Sequence, residues 1–237
     1  MSRRGAETVV DTLRQEGLAR CSRPLPDRAG AVRLVTSQLG PGFVRGDRFV
    51  TEGFVGAEAE LVVVTQAAAR ALGAGASSLA ASTWHVADRA TLRLLGEPLA
   101  AYSEARHRST LEVALAGSAT FAYLDVLVAA EAFASLETRL RVLHDGRLLV
   151  HDALSLSPAH LEEAIGTALY LCPNRSEDER TIQRERVDRA ADAAFRAYGV
   201  TIGSGTARGA GIVIRSRGPS ASLVRAALVD ILSAAEA

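Results

Sequence analysis

The sequence predicts a mainly β protein, with a β-helical body of stacked strands and a C-terminal part that contains two α-helices. Three observations lead to this prediction. Short apolar runs rich in β-branched residues, separated by Gly, Ser and Asp, fill residues 30–152. A strand-like segment recurs within them at offsets of 31 and 29 residues. After residue 152 the spacing of the apolar residues becomes helical.

The recurring segment covers residues 57–65, 88–96 and 117–125, which align in register. The aligned positions are Ala59, Ala90 and Ala119, then Leu61, Leu92 and Phe121, then Val63, Leu94 and Tyr123. A strand repeated at this period is typical of stacked rungs, each of which buries its apolar face against the next. An antiparallel β protein with regular turns would show a similar spacing, so the alignment alone leaves both arrangements open.

Other strands and turns of the body are indicated locally. Leu111, Val113 and Leu115 alternate with polar or small residues, as expected of a strand with one buried face. Asp145-Gly146 is typical of a two-residue hairpin turn. The stretch "LGPGFVRGDRF" at 39–49 contains three glycines and a proline, which predicts a tight turn that ends at Asp47.

The longest predicted helix follows the body. Ser176 and Glu179 form a capping box at its start, and Gly199 ends it. Its predicted buried face consists of Ile182, Val187, Ala190, Ala191, Ala194, Phe195 and Tyr198. Its other face is charged, so we expect this helix to lie on the surface of the protein.

Two strands and a final helix complete the chain. The strands are predicted around 200–202 and 211–215, and the helix over 220–237 carries an apolar stripe. The stripe consists of Leu223, Val224, Ala227, Leu228, Ile231 and Leu232. The glycine-rich "GSGTARGAG" leads into a strand rather than a helix, so it predicts a hairpin turn and not a phosphate-binding loop.

The chain is expected to form a single domain over residues 1–237. Its β-rich body covers about 20–155, and its C-terminal part, about 156–237, has the order β-α-β-β-α. A short turn of helix is predicted to begin at Ser157-Pro158.

The composition excludes several classes of function. Twenty-seven basic and 27 acidic residues cancel, so no net charge attracts the protein to nucleic acid or to a membrane. No lysine occurs, which excludes Schiff-base chemistry and a P-loop. Cys21 and Cys172 belong to no metal-binding spacing and are interpreted as reduced, buried thiols. Neither a secretion signal nor a run of eighteen apolar residues is present, so we expect a cytoplasmic protein.

No catalytic signature stands out. The sequence lacks a nucleophile elbow and a zinc-binding H-E-x-x-H motif, and its five histidines are scattered. We therefore expect a protein that is not an enzyme. The alternative is a β-rich enzyme or small-ligand-binding protein of unknown substrate, which a deep pocket with converging residues of shifted pKa would favour.

The order of several motifs resembles the urease accessory protein family UreD, also called UreH. The resemblance covers residues 20–234 and rests on an Arg-Pro segment, a Pro-Gly turn that ends in Gly-Asp, a Thr-Gln strand end, a Pro turn, an aromatic residue near an Asp, and a Glu-x-Phe. The matching residues are Arg23, Pro24, Gly46, Asp47, Thr65, Gln66, Pro98, Asp125, Glu131 and Phe133.

This resemblance implies a non-catalytic scaffold that assists nickel insertion into urease. The expected partners are UreF-like and UreG-like accessory proteins and the urease structural subunits, without nucleic acid or membrane. Self-association is also expected, because a scaffold for several partners exposes apolar surface when it is alone. The resemblance implies no tightly bound cofactor, only nickel in transit through the interior.

The candidate residues for a nickel path are Asp47, Asp125 and Glu131, with Glu97 as a weaker candidate. Carboxylate, carbonyl and water ligands release Ni²⁺ more easily than thiolates or a closed histidine cage, so acidic residues suit a transfer path. In stacked rungs Gln66 and Glu97 occupy equivalent positions and Asp125 lies one position earlier, so polar groups would gather along one edge. The alternative for Asp47 is a purely structural role as the cap of its own turn.

Overall fold

The computed structural model describes residues 1–73, 75–158, 163–207 and 209–237. Half of the chain is strand and 18% is helix, which confirms the predicted mainly β class. The strands are β1 (Ser2–Arg4), β2 (Glu7–Val9), β3 (Ala19–Cys21), β4 (Leu25–Pro26), β5 (Val32–Gln38), β6 (Arg48–Val55), β7 (Glu60–Thr65), β8 (Ala69–Ala71), β9 (Ser78–Val86), β10 (Thr91–Leu95), β11 (Leu99–Ala101), β12 (Arg106–Leu115), β13 (Thr120–Ala129), β14 (Ser135–His144), β15 (Arg147–Leu156), β16 (Ala164–Leu171), β17 (Thr201–Thr206) and β18 (Gly211–Gly218). The helices are α1 (Glu177–Tyr198) and α2 (Ala221–Glu236).

The body is a stack of rungs, each with one strand in each of two facing sheets. In the first sheet β5, β7, β10 and β13 pair in parallel. In the second sheet β6, β9, β12 and β14 pair in parallel. The chain therefore alternates between the sheets as it climbs the stack, and consecutive rungs bury their apolar residues against each other.

The register of the stack confirms the alignment read from the sequence. Leu92 pairs with Leu61 on one side and with Phe121 on the other, and all three are 0% exposed. Leu94 pairs in the same way with Val63 and Tyr123. The repeat near thirty residues thus reflects stacked rungs and not an antiparallel meander.

A turn of the same type precedes each of these three strands and ends in a buried alanine. The Ala59, Ala90 and Ala119 N–H groups each donate to the carbonyl three residues earlier, at 3.1 Å. Each alanine is at most 1% exposed. The side chain at this position is enclosed by the neighbouring rungs, so the site favours a residue no larger than alanine.

The C-terminal part closes the stack and covers the outer side of the first sheet. Strand β15 returns antiparallel to β14, while β16, β18 and β17 extend the first sheet antiparallel to β13. Helix α2 packs its predicted stripe on β16 and β13, and α1 packs on α2. The predicted hairpin is confirmed, since β17 and β18 pair antiparallel, but residues 203–206 of the glycine-rich stretch belong to β17 and Gly211 begins β18.

The predicted ends of α1 are confirmed, but part of its predicted buried face is wrong. The capping box of Ser176 and Glu179 is formed, and Gly199 adopts φ 65°. Ile182 and Phe195 are 49% and 61% exposed. Gln183 is buried instead, because its Nε2 donates to the Ala235 carbonyl of α2 at 2.8 Å. The contact with α2 decides which side of α1 is covered, and these two apolar residues lie outside it.

The N-terminal residues form a hairpin, β1–β2, that the sequence did not indicate. The Met1 ammonium donates to the Phe54 carbonyl at 3.0 Å, and the Gly56 N–H donates to the Met1 carbonyl at 2.9 Å. The Thr8 hydroxyl accepts from the Glu60 N–H at 2.9 Å. These bonds attach the hairpin to the first rungs, where Met1 packs against the core.

The two cysteines are less buried than the sequence predicted. Cys21 and Cys172 are free thiols, as predicted, but both are half-buried rather than buried. Cys172 lies just after β16 at the side of the core.

The short helix predicted at Ser157-Pro158 would extend over residues 159–162, which lie outside the described residues.

His107 makes the stability of the body pH-dependent. The ring is 2% exposed, with Nδ1 2.9 Å from Ser78 Oγ and Nε2 3.0 Å from Ser109 Oγ. Burial lowers the pKa of His107 from 6.5 to about 4, so the ring is neutral in the folded protein. Between these values the unfolded chain binds more protons than the folded chain, and stability falls as the pH falls.

We expect this residue to reduce the free energy of unfolding by about 2 to 3 kcal/mol between about pH 7.5 and about pH 4.5. Urea unfolding of the wild type and of His107→Gln at both pH values measures the effect. Other groups titrate in both proteins, so the difference between their pH dependences isolates His107. Equal pH dependence in the two proteins would contradict the prediction.

Candidate functional site

A row of mostly polar residues crosses the first sheet at one level of the stack. It consists of Thr36, Thr65, Gly96, Asp125, Thr167 and Arg215, and we call it the polar row. The pairing of β5 with β7, and of β13 with β16 and β18, aligns five of these residues directly. Gly96 joins the two halves because it continues the register of β10 between β7 and β13.

The polar row faces the space between the two sheets. Asp125 lies two residues beyond Tyr123 and four beyond Phe121, so the three side chains share one face of β13. Phe121 belongs to the core between the sheets, and Tyr123 packs against it. The alternate residues of β13, such as Leu124, face the helices instead.

Polar residues on the inward faces of the two sheets are half-buried rather than buried. In the polar row these are Thr65 and Asp125, and at inward positions of the second sheet they are Ser82, Ser109 and Thr138. The two sheets therefore face each other with polar as well as apolar side chains.

Apolar clusters bound the row on both sides. One cluster contains Phe121 and Leu169, each a few residues from the row on its own strand, and Val150 of β15. The other contains Leu127 and Leu156, with Ile165 and Leu154 packed against it. Along their inward faces, the strands of this region thus carry apolar residues, then polar residues, then apolar residues again. A polar layer of this kind contributes little to stability, since apolar residues of similar volume would pack there at least as well.

An ion pair joins the two sheets at the row. Arg215 of β18 places Nη2 2.6 and 2.5 Å from the two carboxylate oxygens of Asp152, which lies on β15 of the second sheet. Nη1 of the same guanidinium donates to Thr167 Oγ1. The Arg215 and Asp152 side chains are 34% and 25% exposed, so solvent reaches the pair.

Asp125 is the carboxylate of the polar row. Burial raises its pKa, and this outweighs the opposing effects of hydrogen bonds from Tyr123 and the Val126 N–H and of the Arg215 charge. Burial also raises the pKa of Tyr123, and the charge of Asp125 adds to that rise.

Two of the predicted path residues lie in loops. The Asp47 carboxylate accepts from the Val44 N–H at 2.9 Å, and the Asp47 N–H donates to the Val44 carbonyl at 3.0 Å. This is the turn-capping arrangement that the sequence left open as an alternative. Glu131 is exposed in the connection between β13 and β14, where it accepts from the Ser103 N–H at 3.2 Å.

Glu97 and Asp125 lie on opposite sides of the first sheet. Glu97 pairs with Arg225 of α2 at 2.8 Å, on the helix-covered side. The register confirms that Asp125 lies one position before Gln66 and Glu97, level with Thr65. Because adjacent positions of a strand face opposite sides of the sheet, these polar groups do not gather along one edge. The structure therefore brings none of the four predicted residues into a common cluster, because each has its own partner.

Sequence reasoning missed Arg215, Asp152 and Thr167 as residues near Asp125. Asp152 and Arg215 are 63 residues apart and meet only because β15 and β18 close the stack from different sheets. One signal was present: Asp152 interrupts the otherwise apolar inward face of β15. Finding its partner required the strand order.

Two surface clefts lie apart from the polar row. One, of about 270 Å³, is lined by Ser82, Thr83, Thr110, Leu111, Glu112, Arg139 and Arg141. The other, of about 420 Å³, is lined by Ala68, Glu97, Pro98, Ala100, Val128, Ala221, Ser222, Arg225 and Ala226.

Within the described parts of the chain, no three His, Cys, Asp or Glu side chains lie close enough to hold a metal ion. No described helix is both long enough and apolar enough to cross a membrane.

Comparison with known proteins gives one consistent result. The family model described as UreD urease accessory protein matches residues 1–237. A protein named urease accessory protein UreD from Anaeromyxobacter sp. (strain Fw109-5) is 31% identical over 98% of this chain and 84% of its own length. Proteins of the same name from Bacillus sp. (strain TB-90) and Parafrankia sp. (strain EAN1pec) are 28% and 38% identical. Those two matches cover 64% and 50% of this chain, and 59% and 43% of the relatives, which is less than two thirds of each relative's length.

The Arg215–Asp152 pair is expected to couple the two sheets. Arg215→Met and Asp152→Asn should each lower the free energy of unfolding by about 1 to 3 kcal/mol, because each leaves a partly buried charge without its partner. The double variant should lose less than the sum of the two, by roughly 1 kcal/mol. Urea unfolding of the four proteins measures this coupling. Strictly additive losses would show that the pair does not hold the sheets together.

Proposed function

Because the chain belongs to the UreD urease accessory protein family, it is a non-enzymatic accessory protein of urease maturation, and we propose that it acts as the scaffold for nickel insertion. In this proposal the protein binds apo-urease together with UreF-like and UreG-like accessory proteins. Nickel then passes through the interior of the stacked body toward the urease active site. Nickel is the cargo of this process and not a resident cofactor.

The observation that carries the proposal is the polar row. It runs across the strands, and therefore along the axis of the stack, from β5 at one end to β18 at the other. A charged ion that leaves bulk water needs polar groups and negative charge along its way, because dehydration of an ion is costly. Half-buried hydroxyl groups and the Asp125 carboxylate meet that need inside a body that is otherwise apolar.

The chemistry of the row suits transfer rather than storage. Its side-chain ligands are hydroxyl and carboxylate oxygens, which hold Ni²⁺ less firmly than thiolates or a set of histidines. Ni²⁺ beside Asp125 would favour the ionised carboxylate and offset the effect of burial on its pKa. For Asp47, Glu97 and Glu131, a place on the path remains a prediction.

The partner contacts require exposed surface that the fold leaves uncovered. Both described helices pack on the first sheet and its extension, and Val50 and Phe54 on the outer side of the second sheet are 54% and 59% exposed. On the other side of the protein, Phe195 of α1 is exposed. Exposed apolar side chains of this kind support protein–protein contact, including self-association of the isolated chain.

Asp125→Asn tests the path. The substitution keeps the size and most of the hydrogen bonding of the side chain and removes its charge, so we expect the fold and partner binding to survive. Urease activation by the co-expressed accessory proteins should fall several-fold, and excess nickel should partly restore it. Activity and nickel content of the purified urease, with co-purification of the partners, are the measurements.

Asp88→Asn is the matched control. Asp88 is an aspartate of the body that accepts from the Ser118 N–H at 2.8 Å and lies outside the polar row. This variant should leave activation unchanged. Normal urease activation by folded Asp125→Asn would contradict the path hypothesis. Joint loss of partner binding and urease activity would instead assign Asp125 a structural role.

The cysteines give a second test. If oxygen ligands carry the nickel, replacing both Cys21 and Cys172 by serine should leave urease activation intact, apart from a small loss of stability. Thermal unfolding and the same activation assay check this. A folded double variant that cannot support activation would show that a thiolate takes part in metal transfer.

A further inference from the structure

We propose that Arg215 is a built-in counter-cation that prevents the polar row from retaining a divalent metal ion. The inference rests on the proposed function, because it names the residue that would make the passage release its cargo. It concerns the closing end of the row, where Arg215, Asp152, Thr167 and Asp125 lie on four strands.

The ligands around Arg215 are those of a hard-cation site. Asp152 presents both carboxylate oxygens to the guanidinium, and Thr167 presents its hydroxyl oxygen. Asp125 lies next to Thr167 in the same row and is close enough for the Arg215 charge to lower its pKa. Two carboxylates and a hydroxyl group, with water, form an oxygen set that binds divalent cations when nothing else occupies it.

Arginine is suited to hold this place permanently. Its guanidinium stays protonated at any physiological pH and has donors for both oxygens of one carboxylate and for a hydroxyl group at the same time. A metal ion that approaches Asp152 must therefore displace a bidentate partner. The site is satisfied without metal, and any ion that enters it meets a competing charge that favours its departure.

Solvent reaches Arg215 where it meets the polar row. About a third of its side chain is exposed, between the two apolar clusters. Arg217, two residues further on β18, supplies a comparison: it pairs with Glu163 at 2.7 Å, and its side chain is 57% exposed. Both arginines are ion-paired, but only Arg215 reaches the polar row.

The test is direct Ni²⁺ binding by the purified, tag-free chain, measured by isothermal titration and equilibrium dialysis. Arg215→Gln should bind one Ni²⁺ at least about tenfold more tightly than the wild type, since removal of the competing cation frees the Asp152 carboxylate and takes a positive charge away from the neighbourhood of Asp125. Adding Asp125→Asn and Asp152→Asn to Arg215→Gln should abolish this gain. Arg217→Gln, which removes the same charge from the same strand, should bind Ni²⁺ like the wild type.

A folded Arg215→Gln with wild-type nickel affinity would overturn the inference, as would an equal gain in Arg217→Gln. If Arg215→Gln does not fold, Arg215→Met serves instead, because its unbranched side chain fills similar volume without charge. The outcome is separate from that of the path hypothesis. Normal urease activation by Asp125→Asn would sink the path, while a nickel gain in Arg215→Gln would still identify Arg215 as the counter-cation.

Discussion

The in-register stacking of parallel rungs is the constraint on which the rest of this structure depends. Each rung is too small to bury its own apolar face and is stable only between neighbours. The turns that enter successive rungs must therefore match, and the buried alanines Ala59, Ala90 and Ala119 keep them alike. The same register places equivalent positions of successive rungs side by side. A polar residue at one inward position thus becomes part of a line along the stack.

The C-terminal part extends this line and covers the body at the same time. Because β16 and β18 join the first sheet beside β13, Thr167 and Arg215 continue the row that begins in the parallel strands. The helices pack on the opposite side of that sheet. Apolar packing with the helices stabilises the outer side, which leaves the inner side free to carry polar groups that contribute little to stability.

In the proposed function, the polar layer between the two apolar clusters must balance negative charge against positive charge. Too few charges would exclude a hydrated ion from the interior, and too many would retain it. Asp125 and Asp152 supply negative charge, and Arg215 offsets part of it. This balance involves both sheets, because Asp152 lies on the second and the other two on the first.

The sequence alone was enough to predict the mainly β class, the alignment of three repeated strands and the ends of α1, because these depend on local patterns: apolar periodicity, turn residues and a capping box. It also indicated the urease accessory family and identified Asp125 as a candidate. It did not determine the N-terminal hairpin, whose bonds reach residues about fifty positions away. It also misjudged Ile182 and Phe195, whose exposure depends on how α1 meets α2.

The polar residues that lie between the two sheets could be identified only from the folded structure. Asp47 and Glu131 are held by local backbone N–H groups, and Glu97 faces α2, so similar motif positions led to separate environments. Asp152 and Arg215 meet across two sheets after 63 residues of chain. Sequence patterns report which face of a strand is buried, but the contacts between strands of different sheets depend on strand order and closure, which no local pattern encodes.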